Sequence, residues 1–152
     1  MAVEIRRYRP EDGEYIAANM RASDRREIYY LAALSPLRAL KTTAAVSVIS
    51  WTAVVDDKPA LAFGVCRKTT LSDVGMPWAL GTDEADNHMT KYAKQSRVFY
   101  DGVTRAFPVL ENYALAENTK TLRWLKWMGF DMDEPAPYGC FGAMFVRFGK
   151  GL

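Results

Sequence analysis

Few side chains in this sequence can move protons or form covalent bonds at neutral pH, and their spacing narrows the chemistry. The only histidine is His88, so a histidine-rich metal site or a zinc finger has no support. The two cysteines, Cys66 and Cys140, each sit in an apolar, strand-like run. That placement suits structural thiols, with a disulfide or a catalytic nucleophile as the lesser alternatives. Three carboxylates, Asp83, Glu84 and Asp86, crowd the turn GTDEADNHMTKYAKQ, where acids can satisfy the free N–H groups of a helix start. Asp24 and Glu27 lie three apart in DRREIYY, a spacing that surface salt bridges explain. Asn118 precedes TKTLRWLKW, in which Leu122, Leu125 and Met128 share an apolar face and Gly129 closes the run before Phe130. Asn118 reads as a helix cap.

These residues depend on the elements that carry them. The chain has 152 residues, 49% hydrophobic and 25% charged, which suits one domain over 1–152 with a core of its own. Its net charge of +2, from 20 basic and 18 acidic residues, includes no long like-charge run, so charge does not call for nucleic acid. The short RRYR cluster beside Glu11 and Asp12 reads as a solvated face. MAVEIRRYRPED does not read as a signal peptide, and no apolar run approaches the ~18 residues of a membrane helix. A soluble protein made in the cytosol is expected.

Alternation predicts a strand over Val3 to Tyr8, and Pro10 with Glu11, Asp12 and Glu14 opens a helix to about Arg21. A second helix starts near Ser23 or Asp24, and a third at Ser35-Pro36. VSVISWTAVV and ALAFGVCRK flank Asp56–Pro59 as a hairpin, with Gly64 marking a bulge or a close backbone approach. VGMPWALG reads as a weaker strand, irregular or at an edge because of Pro77. Asp83 to about Phe107 is the longest helix, with Met89, Tyr92, Ala93, Phe99, Tyr100 and Val103 as its stripe. Strands follow at Leu110 to Leu115, near Phe130 and from Cys140 to Phe148, with DEPAPYG as a loop. The order predicts an α/β (α+β) fold with a mostly antiparallel sheet and one parallel junction across the long helix.

The whole chain resembles the GNAT (Gcn5-related N-acetyltransferase) fold. IRRYRPEDGEYIA is similar to its opening strand and helix, and NTKTLRWLKWMGF to the helix of its last third. More narrowly, MRASDRREIYYLAALSPLRAL together with NTKTLRWLKWMGF resembles the GNAT-like internal virion proteins of short-tailed bacteriophages, the podoviruses. The resemblance implies a single GNAT-like domain, with a mixed central sheet flanked by helices. It implies a structural protein of the virion interior, made in host cytoplasm, that contacts the portal or other internal core proteins and forms a homo-oligomer, with no membrane partner.

A GNAT enzyme seats the diphosphate of acetyl-CoA on a glycine-rich turn at the start of the long helix. Here only Gly81 is available, and the acids that follow would repel it. Like unit charges ~5 Å apart cost about 3 kcal/mol at an effective dielectric near 20. Many GNAT enzymes place an acidic tyrosine four residues before the glycine that closes the last helix. Here that position is Leu125, which leaves Tyr138 as a substitute and His88 as a base if it faces the cleft. Asp24 and Glu27 fall where GNAT enzymes shape the acceptor pocket. The expectation is a non-catalytic virion protein without cofactor. The alternative is an acetyl-CoA-dependent N-acyltransferase with a degenerate cofactor loop, held through Trp78, Ala79, Leu80, Gly81 and Asn118, whose site is the cleft between VGMPWALG and LENYALA.

Overall fold

A computed structural model describes residues 3–151, with the backbone alone over 89–93. One eight-stranded sheet organises the chain, in the order β1-β2-β3-β4-β5-β8-β6, with β7 paired to β8. β1 (Val3–Arg7), β2 (Ser47–Val55), β3 (Lys58–Arg67) and β4 (Val74–Gly81) run antiparallel in turn. β5 (Val109–Leu115) then lies parallel to β4, and β8 (Ala143–Lys150) antiparallel to β5. β6 (Asp131–Met132) and β7 (Ala136–Tyr138) both pair with β8. The mixed, mostly antiparallel sheet with one parallel junction matches the sequence expectation. The DEPAPYG segment does not stay a loop, because β7 falls within it.

Helices cover both faces. α1 (Pro10–Ala18) and α3 (Pro36–Val46) bury Ile16, Ala17, Met20, Ala39 and Leu40 against Ala62 and Leu80 of the sheet, with Ile28 of α2 (Ala22–Ala32) joining them. On the other face, α5 (Met89–Ala106) and α6 (Thr119–Trp127) pack Tyr100, Val103 and Leu125 over Val65, Leu110, Ala114 and Phe148. The side chains of Met89, Tyr92 and Ala93, expected in the α5 stripe, lie outside the described residues.

Local chemistry explains several element boundaries. The Ser35 side chain accepts a hydrogen bond from the Arg38 amide at 3.3 Å, with Pro36 at the first helical position, as the Ser-Pro start predicts. α2 begins at Ala22, so Asp24 is not its cap but a first-turn acid. The long helix expected from Asp83 breaks at His88, where φ −124° and ψ 21° leave the helical region, and α4 (Asp83–Asn87) is a separate single turn. A Cβ on Gly64 would lie 2.5 Å from the Ile49 carbonyl, so this glycine serves a close approach, and the bulge sits across from it in β2. The RRYR cluster is not wholly solvated. Arg6 holds buried Asp12 through two bonds of 2.7 and 2.8 Å, and Thr52 adds a third at 2.8 Å, tying α1 to β1 and β2.

β4 departs most from expectation. Pro77 suggested an edge, yet β4 is central and pairs with β3 from Gly75 to Gly81. The reason is parity. Thr82 donates to the Ala60 carbonyl and Lys68 to the Val74 carbonyl, so the even positions of β4 face β3. Pro77 is odd, and its missing N–H points away from the ladder.

Candidate active site in the split between two strands

β4 and β5 pair only at Val74 with Val109 and Gly75 with Leu110, and then diverge. The odd residues of β4 therefore face a split in the sheet rather than a neighbouring strand. Side chains fill part of it. Asn112 donates to the Pro77 carbonyl at 2.8 Å and accepts from the Tyr113 amide at 2.8 Å, acting as one more rung near the closed end. At the open end α2 crosses both strands. Asp24 accepts from the Gly81 amide at 2.8 Å, and Glu27 accepts from the Leu115 amide at 2.7 Å. The i, i+3 spacing puts the two carboxylates on one helix face, one fastened to each strand. Gly81 also accepts from the Arg21 amide, at 2.9 Å. By the same alternation, Ala79 is the residue between these bridges whose N–H and C=O face the split.

The split opens into a cavity of about 400 Å³ that reaches both faces of the sheet. Asp24, Glu27, Ile28 and Leu31 line it from α2, Trp78, Ala79 and Leu80 from β4, and Tyr100, Trp124 and Leu125 from the helices on the opposite face. Its size lies within the ~300–1,000 Å³ usual for small-molecule sites.

The charges around it are unequal. Asp24 is 2% exposed and bonds Arg21 at 2.7 Å, while Arg21 also reaches Asp86 at 2.9 Å. Burial raises the Asp24 carboxyl, against the pull of Arg21. Burial pushes the Glu27 carboxyl up from 4.5 to about 7, outweighing its bond from the Leu115 amide and the more distant pull of Arg21; among the described residues it has no ion pair. Neither acid is the solvated surface charge that the sequence suggested. Burial likewise raises the Tyr100 phenol, so it stays protonated at neutral pH.

The remaining sequence candidates fall as follows. Trp78, Ala79 and Leu80 line the cavity; Gly81 borders it, with its amide occupied by Asp24. A Cβ on Gly81 would meet the Ala60 carbonyl at 2.9 Å, so packing accounts for this glycine. Asn118 precedes α6 but makes no side-chain cap bond, and its Nδ2 is buried without a partner among the described residues. His88 lies at the α4–α5 break, 3.3 Å from Glu84 and away from the cavity lining. Tyr138 stacks on Tyr113 with ring centroids 3.7 Å apart; Tyr113 lines the cavity and Tyr138 does not. Asp24 and Glu27 lie on the cavity wall, where the resemblance places an acceptor pocket, whereas Asn112 and Arg21 emerge only with the fold.

Solved structures share this fold along nearly their whole length. A ribosomal-protein-alanine N-acetyltransferase from Brucella melitensis superposes with a TM-score of 0.74 at 12% identity, covering 98% of this chain and 99% of that one. A GNAT-family acetyltransferase from Streptococcus pneumoniae gives 0.65 at 13% identity, covering 98% of both chains. Ard1 from Thermoplasma volcanium gives 0.69 at 14%, covering 99% and 97%. The fold is the GNAT fold. No family model matches the sequence, and no curated protein matches it.

The split and the Ala79 main chain offer the thioester arm of an acyl-CoA a channel and a polar backbone group; the orphan Nδ2 of Asn118 lies at the start of α6, outside the cavity lining. The diphosphate seat differs from a glycine-rich turn, but it is less hostile than three free carboxylates. Asp86 is paired with Arg21, and Glu84 lies beside His88. α6 also carries exposed Lys120, Arg123 and Lys126 and no acid. Repulsion of ~3 kcal/mol per charge pair therefore overstates the penalty.

Proposed function

We propose that this chain is an acyl-CoA-dependent N-acyltransferase whose reaction takes place in the split between β4 and β5. The observation that carries this reading is Glu27: a carboxyl with a pKa of about 7, on the wall of a 400 Å³ cavity opened by diverging strands. A carboxylate poised near the working pH is what a general base for an amine requires. A bound acyl-CoA would supply an activated acyl carbonyl. Ala79 turns its N–H into the split, where it can polarise such a carbonyl. Glu27 takes the proton from an amine entering on the α2 side. Asn118 offers Nδ2 to an acceptor oxygen of the cofactor arm. Leu125 has no proton to give a departing thiolate, whereas Tyr100, also on the wall, holds its proton at neutral pH. The whole-length likeness to acetyltransferases supports the same reading.

The test is calorimetric titration with acetyl-CoA, paired with thiol release in the presence of amines. Micromolar binding and amine-dependent release are expected; no heat at millimolar cofactor would end the proposal.

A second reading, a virion protein that works through contacts with a portal or core partner, keeps the support of its sequence motifs. Its structural support is the exposed aromatic pair Tyr29 and Phe141, stacked at 5.1 Å, and half-exposed Trp127. Co-assembly with a portal protein, undiminished when Glu27 is replaced, would favour it.

A further inference from the structure

The α2–α3 side of the split, where an amine must enter to reach Glu27, is built almost wholly of hydrocarbon. Ile28 and Leu31 of α2, Val46 of α3, and Met76 and Trp78 of β4 form its walls. The polar atoms among them are spent on one another. Trp78 Nε1 donates to Ser47 Oγ at 2.8 Å, Ser47 Oγ donates to the Thr43 carbonyl at 2.7 Å, and Cys66 Sγ donates to the same carbonyl at 3.6 Å. The indole thus has its polar edge satisfied.

Charge is scarcer still. Arg21 is shared between Asp24 and Asp86, and Asp24 is further engaged by the Gly81 amide. Arg67 stacks over Phe107 at 5.2 Å beside Gly75, at the closed end of the split. Glu27 is fastened to Leu115, five residues along β5 from the Leu110 that pairs with Gly75. At ~3.3 Å per strand residue, the two ends are roughly 16 Å apart. One molecule with an amine and a carboxylate on the same carbon cannot reach both. An acceptor with a second ammonium would find Asp24 already held by Arg21 and the Gly81 amide, and burying the charge in competition with them is unfavourable.

The rim limits size. The turn after β7 is sewn to the last turn of α2, where the Cys140 amide donates to the Leu31 carbonyl at 3.1 Å and Phe141 stacks on Tyr29 at 5.1 Å. With a cavity of about 400 Å³, near the small end of ligand sites, little room remains for an extended polypeptide.

We propose that the acceptor is a small primary amine with one positive charge, carried on an uncharged apolar body about the size of an aromatic ring with a short arm. The proposal rests on the acyltransferase reading above. Glu27 meets the amine, and Ile28, Leu31, Met76 and Trp78 cover its body. The ammonium first gives one proton to Glu27, which passes it to solvent, so that the neutral amine can attack. In the transfer, the C–N bond forms as the C–S bond of the thioester breaks, and the second proton lost by the nitrogen ends on the departing thiolate.

The test uses the full chain with acetyl-CoA and four acceptors: phenethylamine, spermidine, alanine and a short peptide with an N-terminal alanine. Thiol release gives kcat/KM for each, and binding of phenethylamine alone is followed by ¹⁵N amide shifts. Phenethylamine is expected to exceed the others by at least 100-fold and to shift amides of residues 24–31 and 76–79. Leu31→Glu, which adds a second carboxylate at the mouth, is expected to move the spermidine-to-phenethylamine ratio at least tenfold toward spermidine. Transfer that prefers spermidine, alanine or the peptide would overturn the acceptor class and leave the acyltransferase reading standing. Phenethylamine binding at those amides without any transfer would overturn the acyltransferase reading, and the acceptor role with it, leaving only an amine-binding pocket. Neither transfer nor binding would remove both.

Discussion

Replacing Glu27 by Gln should separate stability from activity in a pH-dependent way. In the folded chain the carboxyl has a pKa of about 7 against an ordinary 4.5, because burial outweighs the bond from Leu115. The folded state therefore binds the proton more tightly than the unfolded chain. Folding free energy is greatest below about pH 4.5 and falls as pH rises toward 7, above which both states are ionised and the loss is complete. A displacement of 2.5 units is worth roughly 3 kcal/mol. Gln has no charge to desolvate and keeps an oxygen for the Leu115 amide. It leaves a buried NH₂ to be satisfied, about 1 kcal/mol in the other direction. At pH 8 the variant should be more stable than the parent by about 2 kcal/mol, or roughly 4–8 °C in Tm for a chain of this length. At pH 4.5 the advantage should vanish or reverse. Thermal melts by circular dichroism at the two pH values read the difference directly. Acyl transfer by the same variant should fall by about 10²–10⁴-fold, the usual contribution of a general base. A Tm difference that does not change with pH, or a variant less stable at pH 8, would refute the claim that Glu27 is a desolvated carboxylate.

Two other substitutions probe the bridges of the split. Arg21→Ala strands Asp24, 2% exposed, without its 2.7 Å partner, and should cost about 3–5 kcal/mol in urea unfolding; the double variant with Asp24→Asn should recover part of that loss. Asn118→Ala removes an unpartnered Nδ2 and should leave free-chain stability within ~0.5 kcal/mol while weakening acetyl-CoA about tenfold, as measured by calorimetry.

Much of the architecture was legible where local chemistry decides it. Ser35-Pro36 starts α3, the Asp56–Pro59 turn joins β2 and β3, and the alternation of Val3 to Arg7 gives β1. These signals act within a few residues, so tertiary packing did not override them. Pro77 misled because its effect depends on which side of the strand lacks a neighbour, and that is set by the divergence of β4 and β5. The break at His88 has no proline or glycine to announce it. The acids of the α4 turn read as a block to an anion, and Arg21, 65 residues before Asp86, could not be assigned to them by spacing. The resemblance put Glu27 near an acceptor pocket, but its spacing alone read as a surface salt bridge. Its character comes from Leu115, 88 residues away, and from the walls that exclude water.

In the proposed reaction the split between β4 and β5 takes the thioester arm of an acyl-CoA, with Ala79 in the split and Asn118 at the start of α6 as polar contacts. An ¹⁵N–¹H spectrum of the full chain titrated with acetyl-CoA reads both groups. Saturable shifts at micromolar concentration are expected in the Ala79 backbone amide and the Asn118 side-chain NH₂. Saturation with both of those resonances unmoved, or no shift anywhere at millimolar acetyl-CoA, would contradict the proposal.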